Sequence, residues 1–352
     1  MTFLIYGILS ENTVNLNHIA ESLPYWAQNS SLYKRFIRFF NKRMDLRGIG
    51  LFLLERFIFL LSQSFKKEKL KIYLIIDRHE WHYGQKVNNL LTLMAYEPKT
   101  RLGIPIQAID LDSKGNSSFL DRELLLDEVY SKLRKLKEKG VELEIELLGD
   151  REFFGGKWEE YIRKNSSGYV LRIRRDYKID EEMTVGDVYE EMEAGEIRDF
   201  VMKDKRVVIK KLDFREDRRD DCLALVTTDR VSKAEEIIRR YRERWRIERM
   251  FFNVESNGFD LSKTHFKDSS KLEMLFYIVS ICYYLSEIAG KIGEKMVEIG
   301  RRSVFLRGLR VLKRSLRDLL VRDVEDLWFL LKEYEEQLKK MLAFIFAEEG
   351  VQ

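Results

Sequence analysis

The sequence is short of the residues that cross-link or stiffen a chain. It has only 2 cysteines and 3 prolines in 352 residues. Cys222 and Cys282 each lie in an apolar stretch, and two cysteines are too few for a disulfide framework or a zinc cluster. The composition therefore excludes a small disulfide-rich secreted protein and favours a reducing compartment, for which we expect the cytoplasm.

Signals for export and for membrane insertion are also weak. The first residues, "MTFLIYGILSENT", carry no basic leader and no small-residue cleavage site, so we expect no signal peptide. The most apolar stretch, "MLFYIVSICYYLSEIAG", contains Glu287 and falls short of the roughly 20 apolar residues that a transmembrane helix needs. This stretch predicts a buried helix and no membrane partner.

Several familiar catalytic motifs are missing. The sequence has no Gly-rich phosphate-binding loop and no GxSxG elbow, and it contains only 4 histidines. His79 and His82 are the one close pair of histidines. They are either a minor metal site or, more commonly for two histidines beside a strand end, hydrogen-bonded structure.

Positive charge is clustered rather than abundant. The net charge is only +4, so a surface for nucleic acid must come from local runs. Between Arg301 and Arg322 eight Lys and Arg stand against one acid, and "YKRFIRFFNKR", from Tyr33 to Arg43, mixes cations with aromatics. The cations at the centre of the second run are Lys34, Arg35 and Arg38. Each run alone is most simply a solvated helix face, but together they indicate a surface for an anionic polymer.

The chain divides into three regions by pattern. Hydrophobic residues make up 45% and charged residues 35%, which is a globular composition, and 352 residues suit two or three structural units. Residues 1–68 have helical periodicity and predict a small helical domain. Residues 69–270 alternate strands with helices, and residues 271–352 are again mostly helical and carry the basic run at their centre.

The middle region predicts an α/β fold. "KIYLIID", which ends at Asp77, is a continuous apolar run typical of a strand buried on both faces. "LLTLMAYEP" and "GIPIQAIDL" predict two more strands, followed by a helix at about 122–139. "VELEIELLGD", which ends at Asp150, predicts a fourth strand, and a helix at about 158–164 and the strand "YVLRIRR" follow it.

The end of the middle region holds an insertion and a distinctive helix. Residues 179–229 are polar but contain the strand candidates "RVVIKKLDF" and "CLALVTTD", so they predict a β-rich insertion. "YRERWRIERMFFNVES" then predicts one helix from Tyr241 to Ser256. Its helical spacing places Tyr241, Arg244 and Glu248 on one face beside an apolar stripe.

Three acids stand where a metal site is expected. Asp77 and Asp150 each end a predicted central strand, which is where open α/β sheets place ligand-binding groups, although a single such Asp is more often a turn residue. With Glu248 they make a set of hard oxygen ligands that suits Mg²⁺ or Mn²⁺. Two such ions, roughly 3.5–4 Å apart, support an in-line displacement at phosphorus.

A family resemblance joins these pieces. "IIDRHEWHYG", "GIPIQAIDLDSKGNSS", "LLGDREFF" and "YRERWRIERMFFNVESNGFDLSKTH", in that order, resemble the DDE-class insertion-sequence transposases with the YREK signature, the insertion-sequence-four-like family. The resemblance covers about Asn15 to Gly290. It implies a ribonuclease-H-like catalytic core with a β-rich insertion, flanked by N-terminal and C-terminal helical regions. It also implies that Asp77, Asp150 and Glu248 are the catalytic acids and hold two Mg²⁺ or Mn²⁺ ions.

The resemblance also implies DNA contacts. Tyr241 and Arg244 occupy the tyrosine and arginine of the signature, which handle the DNA backbone near the transposon end. Trp81 and Trp245 are candidates for stacking on a flipped base, although core packing is the expected fate of at least one of them.

The signature is incomplete in this chain. Its lysine is replaced by Glu255, so we expect Glu255 to face the DNA path and to oppose a phosphate. Lys263 or Lys267 could substitute for that lysine from the following loop. His79 stands where relatives commonly carry a small hydroxyl residue.

The function implied by the resemblance is cut-and-paste DNA transposition. The protein would bind terminal inverted repeats through its helical N-terminal region and work as a homodimer on paired DNA ends. It would cut strands and transfer them into target DNA, and the resemblance implies a hairpin intermediate at the transposon end. Two alternatives are a weakened or domesticated transposase that only binds DNA, which Glu255 favours, and a structure-specific nuclease on the same core. The three retained acids argue against the first alternative.

Overall fold

The computed structural model describes residues 1–23, 28–65, 69–83, 86–111, 114–213, 221–296, 303–319, 332–333, 335–337 and 340. Part of the basic run expected between Arg301 and Arg322 lies outside these residues.

Four helices begin the chain. They are α1 (Thr2–Glu11), α2 (Leu16–Ser22), α3 (Asn29–Asn41) and α4 (Arg47–Ser64). The side chain of Asn15 caps α2 by accepting the backbone N–H of Asn17 at 3.1 Å. On α3, Leu32, Phe36 and Phe40 recur every four residues and are buried, which turns the intervening basic side chains outward.

Eight strands of the described chain form one mixed sheet in the order β3-β2-β1-β4-β5-β8-β7-β6. Their bounds are β1 (Leu70–Tyr83), β2 (Lys86–Glu97), β3 (Leu102–Asp110), β4 (Leu143–Gly149), β5 (Gly168–Arg172), β6 (Ile197–Val201), β7 (Arg206–Lys211) and β8 (Cys222–Thr227). β1, β2 and β3 are antiparallel neighbours, whereas β4 runs parallel to β1 and β5 parallel to β4. β8, β7 and β6 extend the sheet with antiparallel pairs beyond β5.

Seven further α-helices follow among the described residues. They are α5 (Phe119–Glu138), α6 (Gly156–Asn165), α7 (Val185–Glu190), α8 (Ala234–Arg242), α9 (Trp245–Glu255), α10 (Ser269–Met296) and α11 (Val304–Leu319). A reciprocal capping box starts α5, because Ser118 Oγ accepts the N–H of Asp121 and the Asp121 carboxylate accepts the N–H of Ser118. The predicted mixture of helices and strands in an α/β fold is confirmed.

Three local predictions need correction. The first strand does not end at Asp77, because the polar residues after it pair with β2 and carry β1 on to Tyr83. β6 and α7 were not predicted, since neither has an apolar run of its own. The single helix expected from Tyr241 to Ser256 is two helices, α8 and α9. Between them the backbone N–H of Arg244 bonds the carbonyl of Tyr241, three residues back, at 2.9 Å, which tightens the turn.

The long apolar helix lies inside the protein. α10 contains Ser269–Ile292, which by length and composition is able to cross a membrane, so the expectation that this segment is too short is wrong. Of its apolar window, 89% is buried against other parts of the protein, as the prediction of a buried helix requires. Tyr277 of α10 donates a hydrogen bond to the side chain of Gln107 on β3, so the helix is fixed to the sheet.

The N-terminal and C-terminal helices pack on the sheet and on each other. α4 packs on β3, and α1 packs on both α10 and α11. α11 lies very close to α10, because a Cβ at Gly290 would meet the carbonyl oxygen of Val304 at 1.9 Å and one at Gly308 would meet that of Ser286 at 1.7 Å. The division of the chain at residues 68 and 270 stays a prediction.

Candidate active site

The sheet places two of the predicted acids side by side. In the parallel ladder between β1 and β4, the last paired residues are Ile76 and Gly149. The next residue on each strand is therefore an aspartate, Asp77 on one and Asp150 on the other. Both line one cleft of about 290 Å³. The cleft is also lined by Arg78, Glu80, Asn116, Arg151, Glu152 and Arg174.

Arg244 joins the third acid to the first. Its Nη1 lies 2.7 Å from Oδ2 of Asp77, and its Nη2 lies 2.5 Å from Oε1 of Glu248. The guanidinium is buried, whereas the side chain of Glu248 is 52% exposed. One arginine from the junction of α8 and α9 therefore bridges a strand carboxylate and a helix carboxylate.

Tyr241 completes the cluster from α8. Its hydroxyl lies 3.4 Å from Oδ1 of Asp150, and its ring lies 5.7 Å from the guanidinium carbon of Arg244. The helix is held to the sheet by Arg240, which is buried and donates to Glu146 of β4 at 2.7 Å. The predicted shared face of Tyr241, Arg244 and Glu248 thus meets both aspartates.

The environment of this cluster shifts the pKa values of Asp77 and Arg244. Burial raises the pKa of the Asp77 carboxyl to about 6, against the lowering effect of Arg244 and of the backbone N–H of Arg78. The carboxylates of Asp150 and Glu248 raise the pKa of Asp77 further. Burial lowers the pKa of the Arg244 guanidinium, but Tyr241, Asp77 and Glu248 outweigh burial and raise this pKa above its ordinary value. Asp150 and Glu248 are therefore close enough for their charges to act on the Asp77 carboxyl.

The donors suit a hard dication in kind. Carboxylate oxygens are the ligands that Mg²⁺ and Mn²⁺ prefer. Among the described residues, however, no three His, Cys, Asp or Glu side chains are already disposed around one point that could hold a metal ion. Arg244 lies between two of the three acids instead, so a bound ion and this bridge compete for the same oxygens.

A second polar network next to the cleft was missed by sequence reasoning. Arg78, which follows Asp77, donates from Nε to Glu152 at 2.5 Å. The other carboxylate oxygen of Glu152 accepts the backbone N–H and the hydroxyl of Ser117, both at 2.8 Å. This network ties the turn after Asp150 to β1 and to the start of α5. The available signal was the "DREF" sequence, whose glutamate lies two residues after Asp150.

His79 and Glu255, the two residues that differ from the expected family pattern, contact each other. His79 Nε2 lies 2.9 Å from the Glu255 carboxylate, close but not aligned as a hydrogen bond. The His79 ring stacks on Phe251, with centroids 4.5 Å apart and planes at 15°. Burial lowers the pKa of His79, while Glu255 opposes that shift. Glu255 thus faces β1 and has a partner within the protein, and His82 lies beside Glu80 at 3.9 Å.

The remaining candidates for DNA contact differ in exposure. Trp81 is only 5% exposed and packs in the core, whereas Trp245 is 54% exposed on α9. Exposed positions are also held by Lys34, Arg35, Arg38, Lys263 and Lys267. Lys263 forms an ion pair with Asp260 at 2.7 Å.

Comparison with protein families shows which family the chain belongs to. A family model described as the transposase DDE domain matches residues 68–285, which contain all three acids. The chain belongs to the transposase DDE domain family. The general activity of this family is DNA transposition, and the assignment of Asp77, Asp150 and Glu248 as its catalytic acids stays a prediction. The finer assignment to the YREK signature remains a prediction.

Solved structures give more distant likenesses. A piggyBac transposase in a synaptic complex with hairpin DNA aligns with a TM-score of 0.43 and 12% identity, covering 95% of this chain and 75% of that one. The Argonaute of Marinitoga piezophila, in complex with guide RNA and target DNA, aligns with a TM-score of 0.23 and 15% identity, covering 60% of this chain and 30% of that one. Superpositions this weak say nothing further about function. No curated protein matches the transposase chain.

Proposed function

We propose that this protein is a cut-and-paste DNA transposase whose reaction centre is formed by Asp77, Asp150 and Glu248. The observation that supports this best is the joining of three acids from β1, from the turn after β4 and from α9 by Arg244 and Tyr241. These acids are 73 and 98 residues apart in sequence, from 150 minus 77 and 248 minus 150. Core packing alone gives no reason to bring three carboxylates to one arginine and one tyrosine.

The acids would hold two Mg²⁺ or Mn²⁺ ions. Such ions supply a nucleophile at neutral pH and stabilise charge on a transferring phosphoryl group. The aspartates face the cleft from neighbouring strands. Glu248, whose side chain is half exposed, reaches the same region from α9. This arrangement leaves one side of the centre open to a DNA strand.

Tyr241 and Arg244 position the phosphate in this proposal. Arg244 is a planar, permanently charged donor that suits phosphate oxygens as well as carboxylates. If ions were held by Asp77 and Glu248, the Arg244 guanidinium would be available to bind a phosphate of the DNA backbone. Tyr241 lies under it and keeps it at the edge of the centre.

Binding of the DNA ends is assigned to basic surfaces away from the centre. The exposed cations of α3 and those of α11 would contact phosphates of terminal inverted repeats, and phosphate contacts make such affinity steeply salt-dependent. We further propose that the protein acts as a homodimer on paired ends, forms a hairpin intermediate and uses target DNA as its second substrate. The fold would be a ribonuclease-H-like core with the strands β6 to β8 as its insertion. The protein would act at the nucleoid in the cytoplasm.

The test combines the protein, Mg²⁺ and a labelled duplex that carries the inverted repeats flanking the gene, together with a plasmid target. Joined products support transposition, cleavage without joining indicates a nuclease, and a shifted but intact duplex indicates a binding protein.

Asp77→Ala, Asp150→Ala and Glu248→Ala should each abolish cleavage and leave end binding intact. Glu80→Ala, which changes an acid of the same cleft outside the set, is the matched control and should keep cleaving. A Glu248→Ala variant that cleaves at the normal rate would show that the third ligand is misassigned.

A further inference from the structure

The backbone pairing between β1 and β4 stops one residue short of the two aspartates. Ile76 and Gly149 are the last pair of that ladder, and the chain after β4 turns away into a helical turn at Arg151–Phe153. The separation of Asp77 and Asp150 is therefore not set by backbone hydrogen bonds between their strands. Two dications that share these acids need them at a defined separation, because oxygen ligands lie at about 2.0–2.1 Å from Mg²⁺.

One ion pair joins the two chains just past the end of this ladder. Arg78 follows Asp77, and Glu152 lies two residues after Asp150. The Nε of Arg78 donates to Oε2 of Glu152 at 2.5 Å. The backbone N–H of Arg78 also donates to Oδ1 of Asp77 at 2.8 Å. One arginine therefore connects the first aspartate to the turn that contains the second.

The other donors of Arg78 are also used within the protein. Its Nη1 and Nη2 each lie 3.3 Å from a side-chain amide oxygen, that of Asn89 on β2 and that of Asn116 before α5. All three guanidinium nitrogens thus have an acceptor inside the protein, and a DNA phosphate would have to displace one of them. Arg78 lines the cleft, but its contacts suit it to holding Glu152 and not to binding DNA.

Glu152 is likewise engaged by partners inside the protein. Its Oε2 faces Arg78, and its Oε1 accepts the backbone N–H and the hydroxyl of Ser117, both at 2.8 Å. Ser117 is held by Arg122, whose Nε donates to the hydroxyl at 2.9 Å and whose Nη2 donates to the carbonyl at 2.8 Å. The Arg122 guanidinium lies over the Phe153 ring, 5.2 Å from its centroid. Glu152 is therefore fixed from the side of α5, and a metal ion would reach its oxygens only by displacing these donors.

This ion pair is better explained by orientation than by stability. Removing both charges from water is costly, and apolar residues of similar volume often stabilise a protein as well as a buried ion pair does. A guanidinium and a carboxylate, in contrast, meet in a defined direction. Groups that hold metal ligands from behind commonly contribute about 10–100-fold to metal affinity or activity.

We propose that Arg78 and Glu152 are positioning residues that set the separation and orientation of Asp77 and Asp150 for two dications. The inference rests on the proposed function and goes beyond it, because it assigns two charged residues of the cleft to the support of the acids and not to contact with metal or DNA. Charge and position give opposite expectations for Arg78. If Arg78 only repelled dications, its removal would tighten their binding, whereas removal of a positioning residue weakens it.

The test measures Mn²⁺ binding to the DNA-free protein by isothermal titration calorimetry. The double variant Arg78→Met/Glu152→Gln removes the ion pair and keeps the net charge of the protein, so charge alone predicts an unchanged affinity. We expect this variant to bind Mn²⁺ about 10–100-fold more weakly. Lys132→Met/Glu55→Gln is the matched control and should leave the affinity unchanged. It removes an ion pair of 2.6 Å between α5 and α4, outside the cleft, and also keeps the net charge.

A milder variant keeps the test decisive if the double variant does not fold. Ser117→Ala removes one hydrogen bond to Glu152, changes no charge and alters no residue that lines the cleft. It should weaken Mn²⁺ binding in the same direction but by less than the double variant. Arg78→Lys, which keeps the charge and one donor for Glu152, should retain more affinity than Arg78→Met.

Two results would overturn the inference. One is an unchanged Mn²⁺ affinity in the double variant, or in Ser117→Ala if the double variant does not fold. The other is tighter binding in Arg78→Met alone, which would make Glu152 a metal ligand that Arg78 blocks. If Asp77→Ala abolishes Mn²⁺ binding and either result holds, only the positioning role fails. If Asp77→Ala leaves Mn²⁺ binding unchanged, the proposed metal centre fails with it.

Discussion

At Arg244 one guanidinium contacts two acids from different elements, 2.7 Å from Asp77 and 2.5 Å from Glu248. Burial raises the pKa of Asp77 to about 6, so this acid holds a proton more readily than an exposed aspartate. In the proposed metal centre, a proton, Arg244 and a dication would therefore all compete for the oxygens of Asp77.

The competition predicts an unusual effect of Arg244→Gln. In DNA-free protein at about pH 8, where Asp77 is ionised, removal of the guanidinium should tighten Mn²⁺ binding at least about tenfold, because even one hydrogen bond to a charged group is worth about 1.5–3 kcal/mol. Isothermal titration calorimetry measures this. The same variant should bind DNA ends more weakly.

A matched control is Arg172→Gln. Its Nη1 lies 3.9 Å from Asp150, so it should change Mn²⁺ affinity little. Weaker Mn²⁺ binding in Arg244→Gln than in the unchanged protein would show that the arginine organises the acids and does not compete with the ion.

At the scale of elements, α9 is attached to β1 at two places. Arg244 links Asp77 to Glu248 at one end, and His79 meets Glu255 at 2.9 Å at the other. The second contact joins the two residues that differ from the pattern expected from the family resemblance. Glu255 is therefore better explained as a partner of His79 than as a charge directed only at DNA.

This pairing modifies the expected effect of Glu255→Lys. The new lysine should still tighten DNA binding at low salt and lose that gain at high salt. It should also lower the free energy of unfolding by about 1 kcal/mol, since it removes a partly buried partner of His79. The double variant with His79→Ser should regain stability relative to Glu255→Lys alone. Urea unfolding of both single variants and the double variant measures the coupling. Strictly additive losses would mean that the contact contributes nothing.

Glu287 in α10 gives the helix a pH dependence of its own. Burial raises its pKa to about 7, against the opposing effects of Lys291, Tyr283, Arg246 and Arg249. The folded pKa is above the ordinary value of 4.5, so the contribution of this group is fully present below that value and is lost as the pH rises through about 7.

Glu287→Gln removes this dependence. Relative to the unchanged protein, the variant should gain about 1–3 kcal/mol in free energy of unfolding between about pH 5 and about pH 8, at 1.36 kcal/mol per pKa unit. Urea unfolding across that range is the measurement. A difference that stays constant with pH would show that Glu287 is ionised in the folded protein throughout.

At the scale of the whole molecule, the sequence predicts the order of elements well because apolar runs mark the central strands and helices. It does not predict β6, α7 or the extension of β1 beyond Asp77, since these depend on pairing with distant strands and not on local pattern. The three acids follow from strand ends and a family resemblance. The bridge made by Arg244 and the contact of His79 with Glu255 do not, because both require distances between separate elements.

The central claim is that Asp77, Asp150 and Glu248 form one metal centre for DNA. Anomalous diffraction from crystals of the protein with Mn²⁺ and a DNA end tests it directly. We predict two peaks within about 2.0–2.2 Å of oxygens of these three acids, with Arg244 moved from the acids to a phosphate. A second pair of acids lies close together and is an alternative position for the ions: the Glu273 carboxylate accepts the backbone N–H of Asp110 at 3.1 Å. Manganese bound at Asp110 and Glu273 would contradict the account. So would manganese at any other site in the DNA complex if Arg244 still bridged Asp77 and Glu248.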